Sequence, residues 1–159
     1  MTRLMQMLLL ISLSVGAINT YAEENATEQL ENVHYTRIVV DENGDSHFSS
    51  GEIPMALGSY AQPEPKLGLS KTYAASTATL FSAPPGYFGD WHTAIRKQFL
   101  FHLSGTSEIV VSDGETRRFG PGDIVLVEDT TGKGHTARSV GDEDILILAV
   151  PFVVDEQIK

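Results

Sequence analysis

Short runs of β-branched and aromatic residues recur along this chain, and glycine, proline, asparagine or aspartate separates each run from the next. The runs lie at 77–82, 99–103, 107–111, 116–119, 124–128 and 145–152. Strands of this length, separated by turn signals every ~8 to 12 residues, are typical of an all-β barrel or sandwich. No helical periodicity of ~10 residues or more competes with this pattern beyond residue 22.

Two dipeptides mark tight hairpins within the pattern. Asn43-Gly44 lies between an extended run at 36–41 and a return run at 46–50, and Asp113-Gly114 joins two of the runs given above. Asn-Gly and Asp-Gly favour two-residue turns in which both central residues take positive φ. Three prolines between residues 53 and 69 remove backbone donors, so we expect a strap there that lies over the domain without regular pairing.

The first 22 residues have the pattern of a secretory signal peptide. Arg3 provides a positive start, residues 8–17 are apolar, and Thr20-Tyr21-Ala22 places small residues at a cleavage site. The apolar run is too short to span a bilayer, which takes about 20 residues. Export and the absence of cysteine together favour a periplasmic or secreted bacterial protein, because small domains exported by other routes often carry disulfides.

Removal of residues 1–22 leaves 137 residues with a formal net charge of −11, which is enough chain for one domain with its own core. A surface of this sign repels phosphate backbones and anionic lipids. We therefore expect no nucleic-acid partner and no membrane association of the mature form. Residues 23–32 are expected to form a flexible leader, and residues 153–159 a C-terminal tail.

Two histidines and an amide follow one another in a distinctive order in the second half of the chain. His92 is followed by Ala94 and, after five intervening residues, by Gln98; six more residues separate Gln98 from Gly105. This order resembles the first motif of the cupin superfamily, in which two histidines one residue apart precede a glutamate and a glycine. Ala94 stands in the place of the second histidine, and Gln98 in the place of the glutamate.

A later stretch resembles the second cupin motif. Gly122-Asp123 opens it and His135 closes it, while Ser139 replaces the usual asparagine four residues later. The resemblance covers about half of the mature chain and implies an all-β fold, the cupin double-stranded β-helix or jelly-roll barrel. We expect N-terminal strands and the proline-rich strap at 33–85, forming a hairpin extension, and the barrel core at 86–152.

The resemblance implies a metal site formed by His92, Gln98 and His135. Imidazole and carboxylate ligands in such sites suit iron, manganese, nickel or zinc. A neutral amide is a weaker ligand than a carboxylate and does not offset the charge of the ion. The site is therefore expected to hold one divalent ion weakly, or none.

A second interpretation assigns the same region to a small molecule. Arg96, Gln98, His102 and His135 combine a guanidinium, an amide and imidazoles, which recognise carboxylates and hydroxyl groups through directed hydrogen bonds. Gln98 and His102 share one strand face but lie about 13 Å apart at 3.3 Å per residue, so they cannot ligate one ion. A structural role for His102 and a solvent-facing Arg96 are the alternatives.

Three functions follow from these observations. The first is an exported protein that binds a small polar or acidic molecule at a degenerate metal site. The second is a metal-dependent oxygenase or isomerase, and the third is a structural or partner-binding module with a filled barrel. The resemblance also implies a homodimer. Tyr87, Phe88 and Trp91 are expected to pack in the core or at a subunit contact, and Gly132-Lys133-Gly134 to form the loop that delivers His135.

Overall fold

The structure is a computed structural model, and it describes residues 30–151. The signal peptide predicted at 1–22, the leader up to residue 29 and the tail at 153–159 lie outside the described residues and stay predictions. Residues 30–151 contain no helix, and so none that is long and apolar enough to cross a membrane.

Twelve strands make up the described part of the chain. In chain order they are β1 (Val33–Val40), β2 (Ser46–Ile53), β3 (Ala56–Gly58), β4 (Leu67–Leu69), β5 (Thr79–Ala83), β6 (Phe88–His92), β7 (Gln98–Ser104), β8 (Thr106–Val111), β9 (Thr116–Phe119), β10 (Ile124–Val127), β11 (His135–Val140) and β12 (Ile145–Pro151). The predicted all-β fold is confirmed, and every run predicted from the sequence overlaps one of these strands.

The last eight strands form two facing antiparallel sheets. In the first sheet β5 pairs with β12, β12 with β7, and β7 with β10. In the second sheet β6 pairs with β11, β11 with β8, and β8 with β9. The chain crosses from one sheet to the other at every connection except the β8–β9 hairpin, which is the winding of an eight-stranded jelly roll. The barrel therefore begins at β5, within the segment assigned from the sequence to the N-terminal region.

The N-terminal hairpin of β1 and β2 widens the first sheet. β1 pairs antiparallel with β2 and parallel with β10, so that Thr36 lies opposite Val125. Within residues 30–151 only glycines have positive φ, including Gly44 at 81° and Gly114 at 95°. The prediction of two-residue turns in which both central residues have positive φ is therefore wrong. Both hairpins use a wider loop with one left-handed glycine, and the Asp41 carboxylate stabilises the first by accepting hydrogen bonds from two backbone N–H groups.

The proline-rich strap contains one short pairing that the sequence analysis does not predict. β3 pairs antiparallel with β4, with Leu57 opposite Gly68, and the three prolines lie outside both strands. Proline removes the donor only at its own position, so the short segments between the prolines remain free to pair. Just beyond the strap, Tyr73 packs edge-on against Phe99 with ring centroids 6.2 Å apart, which places this segment over the outer face of the first sheet.

Strands β6 and β11 are missing from the sequence prediction. β6 contains Gly89 and Asp90, and its residues are mostly exposed. β11 places Arg138 and Ser139 at its centre, so it does not show the apolar alternation of a typical strand. Pairing between these two strands, and of β11 with β8, forms them despite their weak intrinsic preference.

Aliphatic side chains from both sheets fill one end of the barrel interior. Ile109 and Val111 of β8 meet Val125 and Val127 of β10, with Ile38 of the N-terminal hairpin beside them. All five are at most 4% exposed. A cavity that β5 and β6 help to line lies beside this packed end.

Candidate ligand-binding cavity

A cavity of about 190 Å³ lies between the two sheets. Its walls are mainly apolar and include Phe81, Ala83, Leu100, Ile109, Ile145 and Ile147. A smaller polar set also lines it, made up of His92, Thr93, Gln98, His102, Ser107, His135 and Arg138. Small-molecule sites have this composition, with apolar walls and a few directed polar groups.

His92 and His135 face each other across paired strands at the cavity. They are direct Cα partners in the β6–β11 ladder, and their ring centroids lie 4.6 Å apart at an interplanar angle of 54°. His135 is 5% exposed, whereas His92 is exposed at the cavity mouth. The predicted convergence of the two imidazoles is therefore present in the structure, with one ring inside the barrel and the other at its rim.

The second nitrogen of each ring is already engaged by the protein. Nδ1 of His135 lies 2.6 Å from Oδ2 of Asp129, and Nδ1 of His92 lies 2.6 Å from the backbone oxygen of Asp90. A carboxylate and a carbonyl oxygen only accept hydrogen bonds, so both Nδ1 atoms donate. In the neutral imidazoles Nε2 is then the acceptor, and neither Nε2 has a hydrogen-bond partner among residues 30–151.

The loop before His135 is held by the N-terminal hairpin. The Lys133 N–H donates to the Gly44 oxygen at 2.9 Å, and Ser46 Oγ donates to the Gly134 oxygen at 2.6 Å. Gly134 has φ of 72°, and a β-carbon there would collide with the backbone oxygen of His92. The glycines thus shape the loop that leads into β11, as predicted, and the hairpin extension supports the site rather than merely widening the sheet.

Gln98 and Ala94 decide how well the cavity suits a metal ion. Both residues line the same cavity as His92 and His135, but Ala94 offers no donor atom and Gln98 offers only a neutral amide oxygen. No group of three His, Cys, Asp or Glu side chains that could hold a metal is found within residues 30–151. The residues present therefore fit two imidazole positions of a metal centre and do not complete the anionic ligand set of the cupin motif.

His102 lines the inner part of the cavity and is 2% exposed. Its Nε2 lies 2.8 Å from Ser107 Oγ, and burial lowers the pKa of His102 below its ordinary value of 6.5, against a smaller opposing effect of the contact with Asp123. Its Nδ1 has no hydrogen-bond partner among the described residues. A serine–histidine pair without an acid behind the ring lacks the group that orients the imidazole in a nucleophilic triad, so the pair is suited to hydrogen bonding.

The arginines of the region differ from the sequence expectation. Arg96 is exposed in the loop after β6 and does not line the cavity. This position matches the alternative in which Arg96 faces solvent. Its proposed role in ligand binding stays a prediction. Arg138, which the sequence analysis did not select, lines the cavity, and its Nε donates to Glu108 at 2.7 Å. Glu108 also accepts from Arg118 at 2.8 Å, and the two guanidinium groups lower its pKa.

Three aromatic side chains lie on β6 or directly before it. Tyr87, Phe88 and Trp91 are 44%, 60% and 50% exposed, so packing in the core, one of the two roles expected for them, is wrong. β6 is the edge strand of its sheet, and this position leaves its large side chains without a neighbouring strand to cover them. Tyr87 also lines the cavity.

Among the comparisons with known proteins, only the one with solved structures finds proteins similar to this chain. No family model matches the chain, and no curated protein is significantly similar to it. A conserved protein of unknown function from Streptococcus pyogenes is 25% identical with a TM-score of 0.38, over 48% of this chain and 65% of that one. A cupin 2 conserved barrel domain protein from Salinispora arenicola is 19% identical with a TM-score of 0.42, over 74% of this chain and 82% of that one.

The DMSP lyase DddQ from Ruegeria pomeroyi is similar at 17% identity and a TM-score of 0.42, over 86% of this chain and 54% of that one. The strand order of the structure itself defines the class of fold. Eight strands wound as a jelly roll, with the two motif histidines paired on β6 and β11, form a cupin barrel, and the predicted cupin fold is confirmed.

Proposed function

We propose that this protein binds a small molecule with a polar group in the cavity of its barrel. One observation carries the proposal: an apolar-walled cavity of about 190 Å³ is lined by two imidazoles with unengaged Nε2 atoms, His135 inside the barrel and His92 at its rim. A cavity of ~150 Å³ holds benzene, so this one suits a ligand of single-ring size. A barrel interior filled with side chains, as the structural-module alternative requires, does not match the cavity.

The walls supply affinity and the polar groups supply orientation. Burial of apolar ligand surface against Leu100, Ile145 and Ile147 contributes about 25 cal/mol per Å² before the costs of association. Gln98 and the two histidines fix the polar end through hydrogen bonds. A ligand of this kind enters with its apolar body inward and its polar group at the rim.

The test is an NMR titration of methyl-labelled protein with phenol, anisole and benzoate as single-ring probes. We expect at least one probe to shift the methyl signals of Leu100 and Ile147, and Ala137→Leu, which places a larger side chain in the cavity, to abolish those shifts. Ala56→Leu is the matched control, because that alanine is exposed on β3 and does not line the cavity. Methyl signals that stay unchanged with all three probes at 10 mM, on the order of a weak Kd, contradict ligand binding.

A metal-dependent oxygenase or isomerase is the second candidate, and the engaged Nδ1 atoms favour it. Histidines that ligate metals usually donate their other ring N–H to a carboxylate or a backbone carbonyl, which is the arrangement of His135 and His92. Gln98 would be the third ligand, and iron, manganese, nickel or zinc the ion. Metal analysis of untagged protein tests this candidate: about one equivalent that is lost in His135→Ala supports it, and metal-free protein contradicts it.

We also propose that the chain is exported and acts in a periplasm or outside the cell. The pattern of residues 1–22 supports export, and the net charge of −11 calculated without them favours solubility and disfavours nucleic-acid and anionic membrane partners. Expression of the full chain in a bacterial host, followed by fractionation and N-terminal sequencing, is the test. A mature N-terminus near residue 23 in the periplasmic fraction supports export, and an intact N-terminus in the cytoplasmic fraction contradicts it.

A homodimer through the outer edge of β5 completes the proposal. β5 is an edge strand of its sheet, and Leu80 on it is 61% exposed. Unpaired strand edges with exposed apolar side chains are sites of strand addition. Light scattering after size-exclusion chromatography tests this assembly: we expect a dimer that Leu80→Asp converts to a monomer, whereas a monomeric parent protein contradicts it.

A further inference from the structure

We infer that the cavity selects ligands that carry a neutral hydrogen-bond donor, such as a hydroxyl group, over carboxylates. The inference rests on the proposed function and names the class of ligand for the same cavity. It departs from the acidic ligand that the sequence predicts as one alternative, and it follows from the ring nitrogens, the charges around them and the cavity walls.

The two histidines that line the cavity, one inside the barrel and one at its rim, have ring nitrogens that the described residues do not engage. Because Nδ1 of His92 donates to the Asp90 oxygen and Nδ1 of His135 donates to Asp129, each ring in its neutral form offers its Nε2 lone pair, and the ring centroids lie 4.6 Å apart. A hydroxyl group beside the rings donates to one of these nitrogens. A carboxylate brings only acceptors and leaves both lone pairs unpaired.

The charges around the cavity disfavour an anion. Asp129 has no solvent exposure and lies directly behind His135, so its negative charge opposes an incoming carboxylate. Among residues 30–151, the basic side chain that lines the cavity is that of Arg138. Its guanidinium is already paired with Glu108. A carboxylate would therefore find no unpaired guanidinium or ammonium group to offset its loss of water.

The walls disfavour any full charge. Phe81, Leu100 and Ile147 line the same cavity as the histidines, and transfer of an ionised group from water into apolar surroundings is costly unless it is paired. A hydroxyl group that donates to Nε2 is satisfied at the rim and leaves the ligand body in apolar contact. Gln98, which offers both a donor and an acceptor, accommodates the oxygen of that hydroxyl group.

Phenol, anisole and benzoate test the inference, because each contains one aromatic ring and only phenol carries a hydrogen-bond donor. We expect phenol to bind at least about ten-fold more tightly than anisole or benzoate, since a hydrogen bond to an imidazole that only phenol can donate contributes roughly that factor. In His92→Leu the preference for phenol over anisole should fall to about three-fold or less. Because His92 is exposed, we expect this variant to keep its fold. A thermal melt of the variant checks that it does.

His34→Leu is the matched control, because His34 is also an exposed histidine but lies on β1 outside this cavity. It should keep the full preference for phenol. Anisole binding as tightly as phenol overturns the donor inference while ligand binding itself survives, and benzoate binding most tightly overturns it in favour of an acidic ligand. Absence of binding by all three probes removes the proposed function, and the inference with it.

Discussion

Asp129 and His135 form a hydrogen-bonded pair inside the barrel, with 2.6 Å between Oδ2 and Nδ1. The Asp129 side chain has no solvent exposure and that of His135 only 7%. The second carboxylate oxygen, Oδ1, has no hydrogen-bond partner among the described residues. The contact with His135 is therefore the main side-chain interaction of this carboxylate, and it fixes which nitrogen of the imidazole faces the cavity.

Asp129→Ala should destabilise the protein by about 1–3 kcal/mol, because it leaves the buried His135 N–H without an acceptor. Urea denaturation followed by tryptophan fluorescence of Trp91 measures the change. Glu143→Ala is the control, since this glutamate is exposed and its removal should change the free energy of unfolding by less than about 0.5 kcal/mol. Equal stability of the parent and Asp129→Ala would show that the pair contributes nothing.

Gly134→Ala should disrupt the histidine pair. The substitution forces an L side chain to positive φ and brings its β-carbon against the backbone oxygen of His92, so we expect a loss of more than about 3 kcal/mol. Gly114→Ala is matched to it, because Gly114 also has positive φ but a β-carbon added there would meet no atom within 4 Å; it should cost only about 1–2 kcal/mol. Similar losses of stability in both variants would show that the close approach of position 134 to the His92 backbone contributes nothing.

Ala94→His combined with Gln98→Glu should turn the cavity into a stronger metal site. The change restores a third imidazole and an anionic ligand at positions that line the cavity beside His92 and His135, so we expect zinc affinity to rise at least about ten-fold. Calorimetric titration with zinc measures it. Addition of His92→Leu to the double variant should remove the gain, and an unchanged affinity in the double variant would place positions 94 and 98 outside the reach of one ion.

The stability contribution of His47 should depend on pH. Hydrogen bonds to Asp41 and then to Asp113 raise the pKa of His47 above its ordinary value of 6.5. A histidine with a raised folded-state pKa stabilises the protein fully below pH 6.5 and loses that contribution as the pH rises through the folded value. Melting temperatures of the parent and His47→Gln should thus differ most near pH 6 and converge in alkaline solution, and a difference that grows with pH would contradict the assignment.

His102 changes the stability of the protein with pH in the opposite direction to His47. The melting temperature of the parent alone would therefore mix the two contributions, and the difference from a variant separates them. Burial lowers the pKa of His102, so the unfolded chain takes up a proton near pH 6.5 that the folded chain does not, and folding loses stability as the pH falls below that value. This contribution is common to the parent and to His47→Gln and cancels in their difference.

The sequence was sufficient for the class of fold and for two of the site residues. Turn signals at regular intervals predict short strands, and the spacing of His92 and His135 places both in cupin motifs. Strands β6 and β11, which carry these histidines, were missed because Gly89, Asp90 and Arg138 interrupt their apolar alternation. Pairing across the barrel forms these strands, and pairing is a property that no local window of sequence contains.

The chemical character of the cavity was decided by the tertiary structure alone. The sequence determined which side chains are available, among them an alanine and a glutamine where cupin motifs carry a histidine and a glutamate. It did not determine that Asp129 would be buried behind His135, that Arg138 would be paired with Glu108, or that Arg96 would face solvent. Hydrogen bonds and burial depend on which residues the closed sheets bring within a few ångströms of each other, and those neighbours lie far apart along the chain.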